Sequence, residues 1–416
     1  MMGGLALYGG PVTRERAFPT WPVVGTEEEA ALLEVLHSGA WGRLDGERTG
    51  EFEGAFAEYH DCTYGVAVFN GSVALQLALL AAGIEAGDEV LVPPYTFLAT
   101  ATAVMLCNAV PIFVDIDPET YCIDPDRIEA AITDRTRAII PVHLGGQAAA
   151  MDRIMAISRK HDLIVIEDCA HAHGAAFQGQ RVGSFGDMGC FSFQSSKNLT
   201  SGEGGIVITN DEDLHGTCRS MHNCGRVPGG AWYDHRALSL NLRMTEFQAA
   251  LLTCGMDRLD AQIERREANA LYLNEALAEI PGIDPLPRGH GETRHSYHLY
   301  TYRYDEAAFG GVPRRVFLRA LRAEGIPSGA GYDVPLYHQR IFVDKVFGPY
   351  TGYEATRPDL DYASVECPAC EQACREGCWL TQSVLLGTRD DMGDIVRGIR
   401  KVYAHREELR KREGLV

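Results

Sequence analysis

Lys197 lies in FSFQSSKNLTSGEGG (residues 191–205), among hydroxyl residues and glycines instead of the charged neighbours a solvating surface lysine keeps. Upstream, the apolar run LIVIEDCAHAHGA carries Asp168, an acid at a strand end, where ligands gather in an open α/β sheet. Both side chains can project from neighbouring strand ends into one crevice. A carboxylate and a lysine so placed suit a pyridoxal phosphate site, where lysine forms the Schiff base and the acid keeps the pyridine nitrogen protonated. The protonated ring is an electron sink for an amino acid losing its α-proton. The lysine, once displaced by substrate, moves that proton as the neutral amine. A phosphate anchor is offered by FNGSVALQLAL, which reads as a strand, Asn70-Gly71-Ser72 and a helix whose first N–H groups can face an anion. Ser192 can add a hydroxyl to the same phosphate, and Phe97 in PPYTFLAT can stack on the ring.

Two other clusters are weighed as metal sites. His171 and His173 alternate, so on a strand they would face opposite ways. CPACEQACREGC brings Cys367, Cys370, Cys374 and Cys378 together, but on one helix its ends would lie about 16 Å apart, too far for one zinc. No metal is expected.

The elements that must position these residues are legible as β-rich runs between residues 64 and 209: YGVAVF, EVLVP, VPIFVD, AIIPV, LIVIE, GCFSF and GIVIT. Most are apolar on both faces, as strands buried on both sides are. Helical segments separate the first five, which predicts an α/β fold with a large, mostly parallel seven-stranded sheet. The Lys197 loop alone separates the last two. From Met244 to Ile280 no proline interrupts a stretch in which Leu252, Met256, Leu259 and Ile263 recur at steps of three and four, predicting a long helix. The expected division is an N-terminal arm and large cofactor-binding domain over 1–250 and a smaller C-terminal α/β domain over 251–416.

The 416 residues carry a formal charge of −19, which argues against nucleic acid or an anionic membrane as partner. No apolar stretch is long enough to cross a bilayer, and the start MMGGLALYGGPVTRER lacks a basic head and hydrophobic run, so a cytoplasmic location is expected. The 12 cysteines are mostly scattered through strand-like and helical stretches, as buried thiols in a reducing compartment are.

The motifs NGSVAL, PPYTFLAT, VHLGGQ, EDCAHAHGA, FSFQSSKNLTSGEGG, NLRMTEFQAAL and WLTQSVLLG, spread over nearly the whole chain, resemble the DegT/DnrJ/EryC1/StrS aminotransferases of fold type I. The likeness is greatest to the cyclitol branch, scyllo-inosose aminotransferases included, and to 3-amino-5-hydroxybenzoate synthase, through His171, His222 to Arg226, and Trp379. The resemblance implies Lys197 as Schiff-base lysine, Asp168 on the pyridine nitrogen, His171 near the phenolic oxygen, and Gly71, Ser72 and Ser192 on the phosphate. Asn241 matches an asparagine that reaches the neighbouring subunit's phosphate, which implies a homodimer with shared active sites. Relatives that dehydrate sugars carry histidine where this chain has Lys197. The chain departs from sugar-nucleotide members at YDVPLYHQR (332–340) and WLTQS, which favours a small ring ketone. The implied activity is ping-pong amino transfer from L-glutamine or L-glutamate to a cyclic ketone, such as a keto-cyclitol or keto-sugar. An aromatising synthase of the aminohydroxybenzoate type and a non-catalytic cofactor-binding regulator remain as alternatives.

Overall fold

A computed structural model of the protein describes residues 4–227 and 229–414; the first three residues of the N-terminal stretch fall outside it. All seven strand-like runs form strands: β1 Tyr64–Val68, β2 Glu89–Val92, β3 Val110–Phe113, β4 Thr136–Ile139, β5 Ile164–Asp168 and, after the short pair β6 Ala176–Phe177 and β7 Gln180–Arg181, β8 Met188–Ser192 and β9 Gly205–Thr209. They make one sheet in the order β1-β9-β8-β5-β4-β2-β3. Helices Gly71–Ala81, Ala99–Leu106, Pro125–Ala131 and Met151–His161 connect the first five strands. The sheet is parallel except at β9, which runs antiparallel to both β1 and β8. The loop 193–204 joins β8 to β9 without a crossover helix, so the chain returns in the opposite direction.

β2, β8 and β9 are buried at every position, which is why they read as unbroken apolar runs. Glu89 is the exception in β2. Its buried carboxylate is held 2.8 Å from the Arg357 guanidinium and bonded to the Thr133 hydroxyl.

A second, four-stranded antiparallel sheet follows in the order β10-β12-β14-β13, from β10 Ile283–Pro285, β12 Leu299–Tyr304, β13 Gly329–Ala330 and β14 Gly377–Thr381. The remaining strand, β11 Glu292–Arg294, pairs with β6. Tyr302, Tyr304, Phe309, Phe317, Leu380 and Ile399 share a core separate from that of the large sheet. The helix Glu246–Leu277 links the two cores: Leu252 packs in the first, Leu273 and Leu277 in the second. Each fully buried leucine contributes about 1.5–3 kcal/mol. Thr245 and Gln248 cap its start, the Gln248 carbonyl accepting from the Thr245 N–H at 3.0 Å, and Pro281-Gly282 follow its end. The expected boundary at residue 250 falls within this helix. Residues between Leu336 and Cys374 pack into the first core although they follow the helix in sequence.

Candidate active site

The carboxyl ends of β1, β2, β4, β5 and β8 open on one cavity of about 570 Å³. Seven of the eight expected site residues line it: Gly71, Ser72, Phe97, Asp168, His171, Ser192 and Lys197. Asn241 does not. It is exposed on an isolated bridge to Asn223, on the segment leading into the long helix.

Asp168 ends β5 with its carboxylate buried. Its Oδ2 accepts from the Thr100 hydroxyl at 2.8 Å and its Oδ1 from the Ala170 N–H at 3.1 Å. Burial raises its pKa, and these bonds together with the Lys197 charge oppose the rise. Thr100 is a site residue the sequence reading missed. The signal lay inside PPYTFLAT, where Thr96 and Thr100 stand four residues apart and their hydroxyls meet at 3.1 Å. Lys197 is lowered to about 8 by burial, an effect that the Asp168 charge only partly offsets. The lowering enlarges the neutral fraction, the form that a nucleophile and proton carrier needs.

Asn70 caps the helix Gly71–Ala81, its Oδ1 accepting from the Val73 N–H at 2.9 Å. The N–H groups of Gly71 and Ser72 precede the first intrahelical donor, so they are free for an anion at this wall. A Cβ on Gly71 would sit 2.6 Å from the Ser192 Cβ and 3.1 Å from its Cα. Glycine is therefore what lets the helix start and the end of β8 converge on one spot. Phe97 is 62% exposed and lines the cavity, and among the described residues no aromatic ring stacks on it. Donors for a phosphate, an acid for a ring cation, a lysine and a bare aromatic face fit the expected cofactor.

His171 and His173 lie on a turn after β5 and not on a strand, so the alternation argument does not apply to them. They still separate. His173 is sealed among Phe56, Phe191 and Phe193, its Nε2 donating to the Ser192 carbonyl at 2.9 Å, while His171 lines the cavity. The Gly145 N–H donates to the His171 Nδ1 at 3.2 Å. Burial holds the ring well below the usual imidazole range, so the neutral ring carries its proton on Nε2.

The residues 144–147 that place this donor pack tightly on the segment before β12. Gly146 has φ +94°, and a Cβ there would meet the backbone nitrogens of Tyr297 and His298 at 2.9 and 3.0 Å. His298, on that segment, lines the cavity together with Tyr332, Trp379 and Thr381. Thr381 shares the WLTQSVLLG motif with Trp379 and Tyr332 opens YDVPLYHQR, but of the four only Trp379 was singled out in the sequence, and His298 carried no signal of its own.

Among the described residues, the only three metal-type ligands within mutual reach are His143, Glu167 and Cys169, all buried, with ligand atoms within 4.8 Å. Hydrogen bonds already engage the carboxylate and the imidazole. Glu167 accepts from the N–H groups of Gly183, Phe185 and Gly186 and from the His143 Nε2–H, and the His143 Nδ1 accepts from the Ala149 N–H. This is a bracket for the turn after β7. In the cysteine-rich stretch, Cys370 and Cys374 lie on the helix Pro368–Glu376, Cys367 precedes it and Cys378 lies in β14. Burial pushes the thiols of Cys367 and Cys378 up to about 12.

Residues 22–400 match the model of the DegT/DnrJ/EryC1/StrS aminotransferase family. The chain is 40% identical over 422 residues to the L-glutamine:2-deoxy-scyllo-inosose aminotransferase of Micromonospora echinospora, covering 98% of this chain and 99% of that one. It is 38% identical over 424 residues to the enzyme of the same name from Streptomyces fradiae, covering 98% and 100%. Among solved structures, 3-amino-5-hydroxybenzoic acid synthase superposes with a TM-score of 0.86 at 32% identity, over 94% of this chain and 100% of that chain. The architecture is that of the fold type I aminotransferases, with the large sheet and second α/β unit described above. The chain belongs to the DegT/DnrJ/EryC1/StrS aminotransferase family and is a transaminase.

Proposed function

We propose that this protein is a pyridoxal phosphate-dependent aminotransferase that moves the amino group of L-glutamine to a cyclitol ketone of the 2-deoxy-scyllo-inosose type. The observation that carries this reading is the convergence of Lys197, Asp168 and the Gly71–Ser72–Ser192 cradle on one cavity. The relatives' names supply the donor and the ring.

Bound pyridoxal phosphate supplies a cationic ring that withdraws electrons from the amino acid's α-carbon. Asp168 keeps that ring charged, and its own orientation is fixed by Thr100 and Ala170. Lys197 is the residue that would hold the cofactor's aldehyde carbon, and its Nζ, with a lowered pKa, would move the proton. Gly71, Ser72 and Ser192 would hold the phosphate, Phe97 would cover a ring face, and the His171 Nε2–H would serve the phenolic oxygen. The cycle is ping-pong, with donor and ketone using the same cavity in turn.

Among the described residues no arginine lines that cavity, whereas a glutamine donor brings an α-carboxylate that needs a cation. Arg226, Arg236 and Arg243 sit on the segment that also bears Asn241, beside the exposed Trp232, Tyr233, Leu238 and Leu240. An apolar surface of this extent is what a partner covers. We infer a homodimer in which this segment, Asn241 included, completes the neighbouring site. Twelve free cysteines, ten of them buried, fit a cytoplasmic enzyme.

The test is to incubate the purified holoenzyme with L-glutamine and 2-deoxy-scyllo-inosose and follow the amino-cyclitol by mass spectrometry. The likeness to 3-amino-5-hydroxybenzoic acid synthase keeps one competitor in view. An ultraviolet-absorbing aromatic product formed without any amino donor would replace transamination with aromatising dehydration.

A further inference from the structure

The wall facing Lys197 carries polar atoms whose donor and acceptor roles the structure fixes. Asn198 donates through Nδ2 to the Ser296 carbonyl at 2.7 Å, which leaves its Oδ1 to accept from the His298 Nδ1 at 3.2 Å. His298 therefore carries its proton on Nδ1. Burial, first of all, holds this ring neutral as well, so Nε2 is a bare lone pair. Among the described residues that nitrogen has no partner, and it is not sealed, in contrast to the orphaned Nδ1 of His173 and Nε2 of His222. The His171 and His298 rings lie 4.3 Å apart. One thus offers a donor and the other an acceptor, side by side.

Tyr332 adds a third polar atom. Its ring stands at 85° to Trp379 and at 79° to Tyr95, at centroid distances of 5.2 and 5.4 Å. Behind it the packing depends on bare backbone, since a Cβ on Gly331 or Gly377 would meet the Tyr95 Oη at 2.2 or 2.8 Å. Among the described residues neither the Tyr95 nor the Tyr332 hydroxyl has a partner; the first is sealed and the second is open on the cavity. The alternation of β14 turns Trp379 and Thr381 to the same face, with Cys378 and Leu380 buried on the other. The indole lies beside Gly329, where an added Cβ would stand 3.4 Å from its nitrogen, an ordinary contact distance.

We propose that His298 and Tyr332 read the acceptor, His298 Nε2 accepting from one ring hydroxyl and Tyr332 Oη bonding a second, while Trp379 packs on the carbon face of the ring. This rests on the transaminase reading above and adds to it the residues that select a polyhydroxylated ketone. A hydroxyl can both donate and accept, so it matches a fixed acceptor and a free phenol. A ketone with no hydroxyl leaves the Nε2 lone pair and the phenol unpaired in a largely desolvated site. With no arginine among the described lining residues, a neutral ring suits this wall better than an anionic one.

The test compares 2-deoxy-scyllo-inosose with cyclohexanone as acceptors, at saturating L-glutamine, in the wild type, His298→Ala, His298→Gln and Tyr332→Phe. The polyol should be preferred in kcat/KM by at least about a hundredfold in the wild type. His298→Ala and Tyr332→Phe should each cut that preference about tenfold, through KM for the polyol. His298→Gln should recover part of it, because the glutamine carbonyl can stand near the place of Nε2. Calorimetric binding of both ketones to the same four proteins reads the same ratio without turnover. A wild type inert toward L-glutamine would therefore sink the transaminase reading and still leave this one decided by binding. A preference that stays within twofold of wild type in both His298→Ala and Tyr332→Phe, or that is absent in the wild type, overturns the proposal.

Discussion

In cofactor-free protein, Lys197→Met should raise stability, because the buried amine is held in a charge state that the fold disfavours. Burial lowers its pKa from 10.5 to about 8. At about 1.4 kcal/mol per decade, that drop sets an upper bound of roughly 3.5 kcal/mol on the penalty below pH 8. The side chain opens on the cavity and is only partly buried by area, and solvent screening brings the expected figure to about 2 kcal/mol. Between pH 8 and 10.5 the native lysine has released its proton while the unfolded chain still binds one, so stability rises with pH and the penalty fades. Denaturant unfolding of wild type and variant at pH 7 and pH 10, both stripped of cofactor, reads the effect. Lys197→Met should lead by about 2 kcal/mol at pH 7 and by clearly less at pH 10. A variant no more stable than wild type at pH 7, or a gap that does not narrow, would refute a desolvated lysine.

Four further outcomes follow from the same geometry. Asp168→Asn keeps the Thr100 bond but removes the charge, so a ring nitrogen it faces should lose about 1–3 decades of basicity; turnover should fall at least tenfold, as steady-state kinetics would show. Gly71→Ala places a carbon 2.6 Å from the Ser192 Cβ, well inside the ~3.5–4.0 Å of an ordinary contact. It should cost about 1–3 kcal/mol by overpacking, and Ser192→Gly should relieve much of this in a double-mutant cycle measured by thermal melts. Glu167→Gln puts an NH2 in place of an oxygen that accepts two of the four bonds to this carboxylate; a loss of about 2–4 kcal/mol is expected from denaturant titration. Elemental analysis of purified protein should find no stoichiometric zinc or iron, since hydrogen bonds already engage Glu167 and His143; a molar equivalent of metal would contradict that reading.

The large sheet was legible because buried strands write themselves as apolar runs, and all seven were. The long helix was legible from its spacing and from Pro281-Gly282 beyond its end. Its start moved from Met244 to Glu246 because Thr245 and Gln248 form a cap. The half of the site built from the carboxyl ends of the large sheet was readable, since Lys197, Asp168 and the Asn70-Gly71-Ser72 turn each lie next to the strand that places them. The other half was not. Tyr332 and Thr381 reach the cavity through tertiary packing around Gly329, Gly331 and Gly377, and no local pattern marks which face of a short strand will look inward. Thr100 escaped for a similar reason, as a helix hydroxyl whose partner is an acid on another strand. The placement of His173 was anticipated in outcome but not in reason: a turn, not strand alternation, sends it into the aromatic core.

The most direct test of the central claim is the absorbance spectrum of the holoenzyme before and after addition of L-glutamine with no acceptor present, beside Lys197→Ala. The account predicts that wild type loses the absorbance of the lysine-linked cofactor and gains that of pyridoxamine phosphate, that 2-deoxy-scyllo-inosose then restores the starting spectrum, and that the variant does neither. A wild-type spectrum unmoved by L-glutamine, or a Lys197→Ala protein that cycles like wild type, would contradict it.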